Sequence, residues 1–144
     1  LATYEDLPEI VEMVMTFIDQ SPYKDFEHPR EKVEEVVHSL LKDQNKGIVI
    51  LYLVNDKPVG LLGGVANEMV FSREIITAEL FWWVDPSYRS RKALGLKEAF
   101  EFWSKRVGAK YIQMSNLNDE KTARYYERTG YKLTENAFLK VVGA

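Results

Sequence analysis

The run from Ile75 to Val84 constrains the fold of this chain more than any other segment. It is apolar on both of the faces that a strand presents, it contains Phe81 beside two tryptophans, and it stops at Asp85-Pro86. A strand that is apolar on both faces is typical of the centre of a sheet that helices cover on each side. The sequence therefore predicts an α/β protein with this strand at its centre.

The segments before this strand predict two helices and a hairpin. Apolar residues at helical spacing predict helices over 7–19 and from Pro29 to about Asp43. Two β-branched runs, 48–54 and 59–65, are separated by the turn residues Asn55-Asp56-Lys57 and predict a β-hairpin.

The same patterns after the strand predict two further helix and strand pairs. These are a helix over 93–107, a strand over 111–115, a helix from Asp119 to before Gly130, and a final strand from Tyr131 to Val142. The element order predicts a mixed sheet, an antiparallel meander followed by a parallel strand-helix-strand crossover, with helices on both faces. The chain has no repeat or linker, so we expect one domain over residues 1–144. Ligands of α/β sheets often bind where the strand pairing changes, here at the end of strand 75–84.

Composition excludes several classes of function. The chain has no cysteine and two histidines, so we expect no metal, and its pI of about 5.5 disfavours nucleic acid as a partner. The longest apolar run has seven residues, 48–54, where a membrane-spanning helix needs about 20. The first residues do not resemble a secretory signal, which with the absent cysteines favours a cytoplasmic protein.

The charge of the chain is divided between its two halves. Residues 1–72 carry 6 Lys and Arg against 13 Asp and Glu, whereas residues 73–144 carry 13 against 9. The densest basic stretch is Arg89, Arg91, Lys92 and Lys97, and its first part, Arg89 to Leu94, lies between the central strand and the start of the next helix. Backbone N–H groups at a helix start attract phosphates, so this turn suits a small polyanion. The alternative is a solvated basic turn.

Two segments resemble the GNAT superfamily of acyl-CoA-dependent N-acetyltransferases. They are Glu79-Leu-Phe-Trp-Trp-Val-Asp-Pro-Ser-Tyr-Arg89 and Asn118-Asp-Glu-Lys-Thr-Ala-Arg-Tyr-Tyr-Glu-Arg-Thr-Gly-Tyr131. The order of elements also matches that family over nearly the whole chain. The resemblance implies an enzyme that moves an acetyl group from acetyl-CoA to a primary amine by direct attack in a ternary complex, without a metal.

The resemblance also implies where acetyl-CoA binds. The family's loop, of pattern Arg/Gln-x-x-Gly-x-Gly/Ala, would hold the CoA pyrophosphate with Arg89, Ser90, Arg91, Lys92, Ala93 and Leu94. Lys92 and Leu94 stand where the family has glycines, and Gly95 comes one residue late. The backbone of Trp82, Trp83 and Val84 would pair with pantetheine as an added strand. Asn118, or Asn116, would bond the pantetheine arm.

Two residues receive chemical roles from the resemblance. Tyr126 would protonate the departing thiolate; the alternative is an aromatic side chain that packs in the core. Glu79 would accept the amine proton, and a carboxylate in an apolar strand is costly unless it is paired or solvated. The alternative for Glu79 is a sheet-face glutamate paired with an arginine.

The acceptor stays open at this stage. Asp19, Asp25 and Glu27 lie in the connection that flanks the acceptor cleft in the family, which favours a cationic amine. The acceptor amine can belong to a small molecule, a protein lysine or a protein N-terminus. The sequence is also compatible with a homodimer. The rival interpretations are a non-catalytic module that binds CoA or a protein, and an unrelated α/β protein. His28 and His38 have no visible partner and receive no role.

Overall fold

The computed structural model describes residues 1–117 and 119–143 of the chain. The helices and strands, in chain order, are α1 (Leu7–Asp19), α2 (Arg30–Lys42), β1 (Gly47–Val54), β2 (Lys57–Glu68), β3 (Ile75–Val84), α3 (Gly95–Arg106), β4 (Ala109–Gln113) and α4 (Glu120–Arg128). Short 3-10 turns at Pro86–Tyr88 and Arg91–Leu94 fill most of the connection between β3 and α3. Across the two described ranges, no helix has the length and apolar character that crossing a membrane requires.

Four strands of the described residues form a mixed sheet in the order β1-β2-β3-β4. β2 pairs antiparallel with both β1 and β3, whereas β3 and β4 are parallel and are joined through α3. Asn55 and Asp56 make the turn between β1 and β2 with φ angles of 51° and 63°, which suit a tight hairpin. The predicted meander and crossover are therefore confirmed.

Helices cover both faces of this sheet, as the sequence predicts. α1 and α2 pack on one face through a core that includes Val11, Val37 and Phe81. α3 packs on the other face, where Phe100 and Trp103 share a core with Leu62. The burial of each large apolar side chain contributes about 1.5–3 kcal/mol, so both helical layers hold the central strands in place.

β3 contains a bulge at Leu80. In the register with β2, Phe81 lies opposite Gly63 and Glu79 lies opposite Gly64, which leaves Leu80 without a partner. The Thr77 hydroxyl bonds Ser104 of α3, yet Phe81 packs on the α1–α2 side. Residues four apart in a regular strand share a face, so the bulge has reversed the alternation of side chains between these two positions.

β3 and β4 separate beside this bulge. Their pairing runs from Ile75 opposite Ala109 to Ala78 opposite Gln113. From Glu79 to Val84, β3 pairs with no strand on that side among the described residues. The sheet therefore opens at the predicted change of strand pairing.

Two predicted strands differ from the structure. β4 begins and ends two residues earlier than predicted, directly after the turn at Gly108. The final strand predicted from Tyr131 to Val142 is wrong, because none of its residues is assigned to a strand and nearly all are exposed. Leu133, Phe138 and Leu139 are 67%, 95% and 66% exposed, so the segment buries little apolar surface that would offset the entropy cost of ordering a strand.

Candidate functional site

Glu79 lies where β3 leaves β4, and its side chain is buried. Its Oε1 accepts a hydrogen bond from the Ser115 backbone N–H at 3.1 Å, and the residue is 7% exposed. Burial raises the pKa of the Glu79 carboxyl to about 7, although the Ser115 N–H favours the charged form and opposes that rise. Within the described residues Glu79 makes no salt bridge, so the predicted arginine-paired alternative is not observed. The carboxyl can exchange a proton near neutral pH.

The Tyr126 side chain of α4 contacts the backbone of the same serine, Ser115. Its hydroxyl donates a hydrogen bond to the Ser115 carbonyl oxygen at 3.2 Å. Burial raises the pKa of the Tyr126 hydroxyl, and the nearby charge of Glu79 raises it further. The structure thus brings together the two residues to which the sequence assigns acid and base roles, with the backbone of Ser115 between them.

A buried cation links α3 to the segment that contains α4. The Lys97 Nζ lies 3.1 Å from Glu101 Oε2, and 5.2 and 5.0 Å from the ring centres of Tyr125 and Tyr131. The Tyr131 hydroxyl donates to the same Glu101 oxygen at 2.8 Å. Because Lys97 is only 2% exposed, it does not join the basic turn with which the sequence groups it.

The turn after β3 presents some of its basic side chains to solvent. Arg89 Nε donates to the Val84 carbonyl at 2.7 Å, so this side chain is tied to the end of β3. Arg91 and Lys92 are exposed and make no salt bridge in the part of the chain that the structure describes. Of the other predicted loop residues, Ser90 is exposed, Ala93 is buried and Leu94 is half-buried.

Gly95 opens α3 directly behind this turn. A side chain at Gly95 would meet no atom within 4 Å, and its φ of −60° is one that any residue adopts. The fold therefore does not require a glycine there, and the space beside the first turn of α3 is open. The Gly95 backbone N–H is already paired, because it donates to the Lys92 and Ala93 carbonyl oxygens of the preceding 3-10 turn.

The two tryptophans of β3 point to opposite faces of the sheet. The ring centre of Trp82 lies 6.4 Å from that of Tyr126, whereas Trp83 Nε1 donates to Gln20 Oε1 at 3.0 Å. The Val84 side chain is buried. Asn118, predicted to bond pantetheine, lies outside the described residues, and Asn116 Oδ1 accepts from the Asp119 backbone N–H.

An apolar pocket of about 270 Å³ lies between α1, α2 and β3. Leu80, the bulge residue, forms part of its wall. His28 also lines it, and the two ring nitrogens of His28 lie 2.5 Å from the Phe26 carbonyl oxygen and 3.1 Å from Asp19 Oδ1. His28 therefore has an acidic partner that the sequence did not reveal.

Several solved structures share the fold of this chain. The integron cassette protein HFX_CASS3 from the mobile metagenome of Cole Harbour Salt Marsh is 15% identical, with a TM-score of 0.78 over 99% of this chain and 88% of that one. AAC(6')-Iy in complex with the bisubstrate analogue CoA-S-monomethyl-acetylneamine is 12% identical, with a TM-score of 0.78 over 99% and 95%. The aminoglycoside acetyltransferase HMB0005 from an uncultured soil metagenomic sample is 17% identical, with a TM-score of 0.73 over 99% and 95%.

Comparison with family models gives the relationship in sequence. No curated protein matches the chain. The model of the acetyltransferase (GNAT) family, however, matches residues 11–131, a range that contains the whole sheet, Glu79, Tyr126 and the basic turn. The chain belongs to the acetyltransferase (GNAT) family.

Proposed function

We propose that the protein transfers the acetyl group of acetyl-CoA to a primary amine. The observation that supports this most is the meeting of Glu79 and Tyr126 at the backbone of Ser115, beside the open half of β3. A base and an acid in one buried place are what acyl transfer to an amine requires. AAC(6')-Iy, of the same fold, is crystallised with a bisubstrate analogue that contains CoA.

Glu79 acts as the base. An alkylamine with a pKa of about 10.4 is almost wholly protonated at neutral pH, and its deprotonation costs about 4.6 kcal/mol. A carboxyl with a pKa of about 7 is a better acceptor for that proton than an ordinary glutamate. The ammonium group gives one proton to Glu79 before the N–C bond forms, and the nitrogen releases its second proton as that bond forms.

Tyr126 acts as the acid. Its raised pKa keeps the hydroxyl protonated until the C–S bond breaks, and it then gives its proton to the departing sulfur. When Glu79 takes up the amine proton, the negative charge that raises the Tyr126 pKa disappears. Tyr126 therefore becomes a stronger acid at the stage at which the thiolate needs a proton. The second proton of the amine restores the tyrosine or leaves to solvent.

The turn and the open strand supply the binding surface for acetyl-CoA. Exposed Arg91 and Lys92, on the turn that leads into α3, fit a pyrophosphate. The unpaired side of β3 from Glu79 to Val84 fits the amide groups of pantetheine. When bound there, acetyl-CoA supplies a thioester carbonyl, and a β3 backbone N–H stabilises the charge that develops on its oxygen.

The first experiment measures binding and turnover. Acetyl-CoA at about 100 times its Kd should stabilise the fold by roughly 2.7 kcal/mol, which raises Tm by roughly 5 to 11 °C. ATP and NAD should raise Tm far less. Release of the CoA thiol with a panel of primary amines then tests transfer. Folded protein that shows no Tm shift with acetyl-CoA or longer acyl-CoAs would contradict the proposal.

The second experiment replaces the acid. Tyr126→Phe should lower kcat by roughly 10- to 1000-fold and leave the Kd of acetyl-CoA unchanged, because the variant loses the proton-donating hydroxyl and keeps the ring. Tyr125→Phe is the matched control, since its hydroxyl makes no hydrogen bond in the described residues. Binding of acetyl-CoA without turnover of any amine would instead identify a non-catalytic module.

A further inference from the structure

The pocket between α1, α2 and β3 is apolar over most of its wall. Its apolar residues come from all three elements, and they are Val14, Phe17, Ile18, Val33, Val36 and Leu80 with Phe81. At about 270 Å³ the pocket is close to the lower limit for small-molecule sites, so it suits a small ligand rather than a large one.

The pocket lies beside the reacting groups, at Leu80 of β3. Leu80 is the next residue after Glu79, and it is 43% exposed although it lies in the central strand. The bulge places Leu80 in the pocket wall, while the Glu79 carboxyl bonds Ser115 on the other side. A ligand in this pocket therefore lies next to the place where β3 leaves β4, and its amine meets the Glu79 carboxyl through the gap between these two strands.

The charged groups at the pocket leave one carboxylate uncompensated. His28 pairs with Asp19 at 3.1 Å, and Lys32 lies 4.0 Å from Glu35. Glu27 also lines the pocket, and it makes no salt bridge within residues 1–117 and 119–143. This charge favours a cationic ligand over an anionic one.

We propose that the acceptor is a small primary amine with an apolar body, an alkylamine or arylalkylamine, held in this pocket. The inference rests on the proposed acetyl transfer and specifies its substrate class. An aminoglycoside would place many hydroxyl groups against apolar walls that offer them no hydrogen-bond partner, and each such group opposes binding. The aminoglycoside ligands of the solved relatives are therefore poor acceptors for this chain.

Steady-state kinetics with phenethylamine, n-hexylamine, spermidine and kanamycin test the substrate class. We expect kcat/KM for the two apolar amines to exceed that for spermidine and kanamycin by at least about 10-fold, a difference that one or two methylene contacts already give. Faster turnover of kanamycin or spermidine would overturn the substrate class and leave the proposed acetyl transfer intact.

Pocket variants test the location. Val36 is 38% exposed on α2, so Val36→Asn should fold, and this neutral polar side chain should lower kcat/KM for phenethylamine at least about 10-fold without changing the Kd of acetyl-CoA. Leu53→Asn is the matched control, because Leu53 is an exposed apolar residue of β1 outside the pocket. Equal losses of kcat/KM in the two variants would overturn the placement of the acceptor in this pocket.

Equilibrium binding tests the acceptor pocket independently of the proposed acetyl transfer. Isothermal titration of the wild-type protein with phenethylamine should show binding that Val36→Asn loses and Leu53→Asn keeps, whether or not acetyl transfer occurs. Glu27→Gln should weaken phenethylamine and leave the neutral 2-phenylethanol unchanged. Absence of phenethylamine binding to the wild type, in the presence and absence of CoA, would refute the pocket assignment.

Discussion

At the scale of single residues, the Glu79 carboxyl makes the stability of the fold depend on pH. In the unfolded chain this group has its ordinary pKa of 4.5, whereas burial in the fold raises the pKa to about 7. Below the lower value both states hold the proton. Between the two values the unfolded state loses its proton first, so the free energy of unfolding falls as pH rises and levels off above about 7.

We expect Glu79→Gln to remove this dependence. Relative to the variant, the wild type should lose about 3 kcal/mol of unfolding free energy between roughly pH 4 and pH 8, at about 1.36 kcal/mol per pKa unit. The glutamine carbonyl can still accept the Ser115 N–H. Urea unfolding across this pH range measures the difference, and Glu98→Gln, an exposed change on α3, should follow the wild type. Parallel pH profiles for Glu79→Gln and the wild type would show that Glu79 has an ordinary pKa.

Part of this site is visible in the sequence because it depends on residue type. A carboxylate within an apolar strand stands out, whereas Tyr126 is found through the resemblance to the family, and the structure brings Glu79 and Tyr126 together. Ser115 does not stand out, because it contributes main-chain groups that every residue except proline has. His28 and Asp19 are nine residues apart across a loop, and no periodic pattern connects them. The chemical roles of Glu79 and Tyr126 remain predictions.

At the scale of elements, the Lys97–Glu101 pair holds the α4 segment on α3. Replacing only Lys97 or only Glu101 leaves the other charge unpaired in a largely buried place. Replacing both by apolar residues leaves an apolar contact instead. We expect Lys97→Met to destabilise the fold by about 1–3 kcal/mol, and Lys97→Met with Glu101→Leu to destabilise it less. Because α4 carries Tyr126, Lys97→Met should also lower kcat more than it changes the KM for acetyl-CoA.

Thermal and urea unfolding of the single and double variants measure this coupling. Lys105→Met serves as the control, because Lys105 is an exposed lysine of the same helix. A double variant that loses as much stability as the sum of its single changes would show that the two side chains act independently.

The sequence predicts best those helices and strands whose apolar pattern is visible in their own residues, without reference to a partner. β3 and α1 have the predicted bounds because their own residues show a strand run and a helical stripe. The bulge at Leu80 was not predicted, since it depends on the register with Gly63 and Gly64 of another strand. A Cβ on Gly63 would overlap the Phe81 ring and one on Gly64 the Phe100 ring, so tertiary packing decides this feature. The same dependence on partners explains the wrong final strand.

At the scale of the whole molecule, the excess of positive charge in residues 73–144 predicts how acetyl-CoA binding responds to salt. Arg91→Ala with Lys92→Ala should weaken acetyl-CoA and make the remaining affinity less sensitive to salt, because backbone amides persist when two side-chain charges are lost. Titrations at low and high salt measure this. Lys105→Ala with Arg106→Ala removes the same charge from the other end of α3 and should leave Kd unchanged. Equal losses from the two pairs would show that net charge alone matters.

The pocket and the acid–base pair draw on different parts of the chain. Apart from Leu80 and Phe81, the pocket wall comes from residues 14–36, whereas Glu79, Ser115, Tyr126 and the basic turn all follow residue 74. With the functions proposed above, selection of the acceptor and transfer of the acetyl group can change separately. A single genetic crossover between α2 and β3 would join a new helical pair to an existing reaction centre, provided that the new helices still cover Phe81. Such exchange offers this fold a short route to a new acceptor.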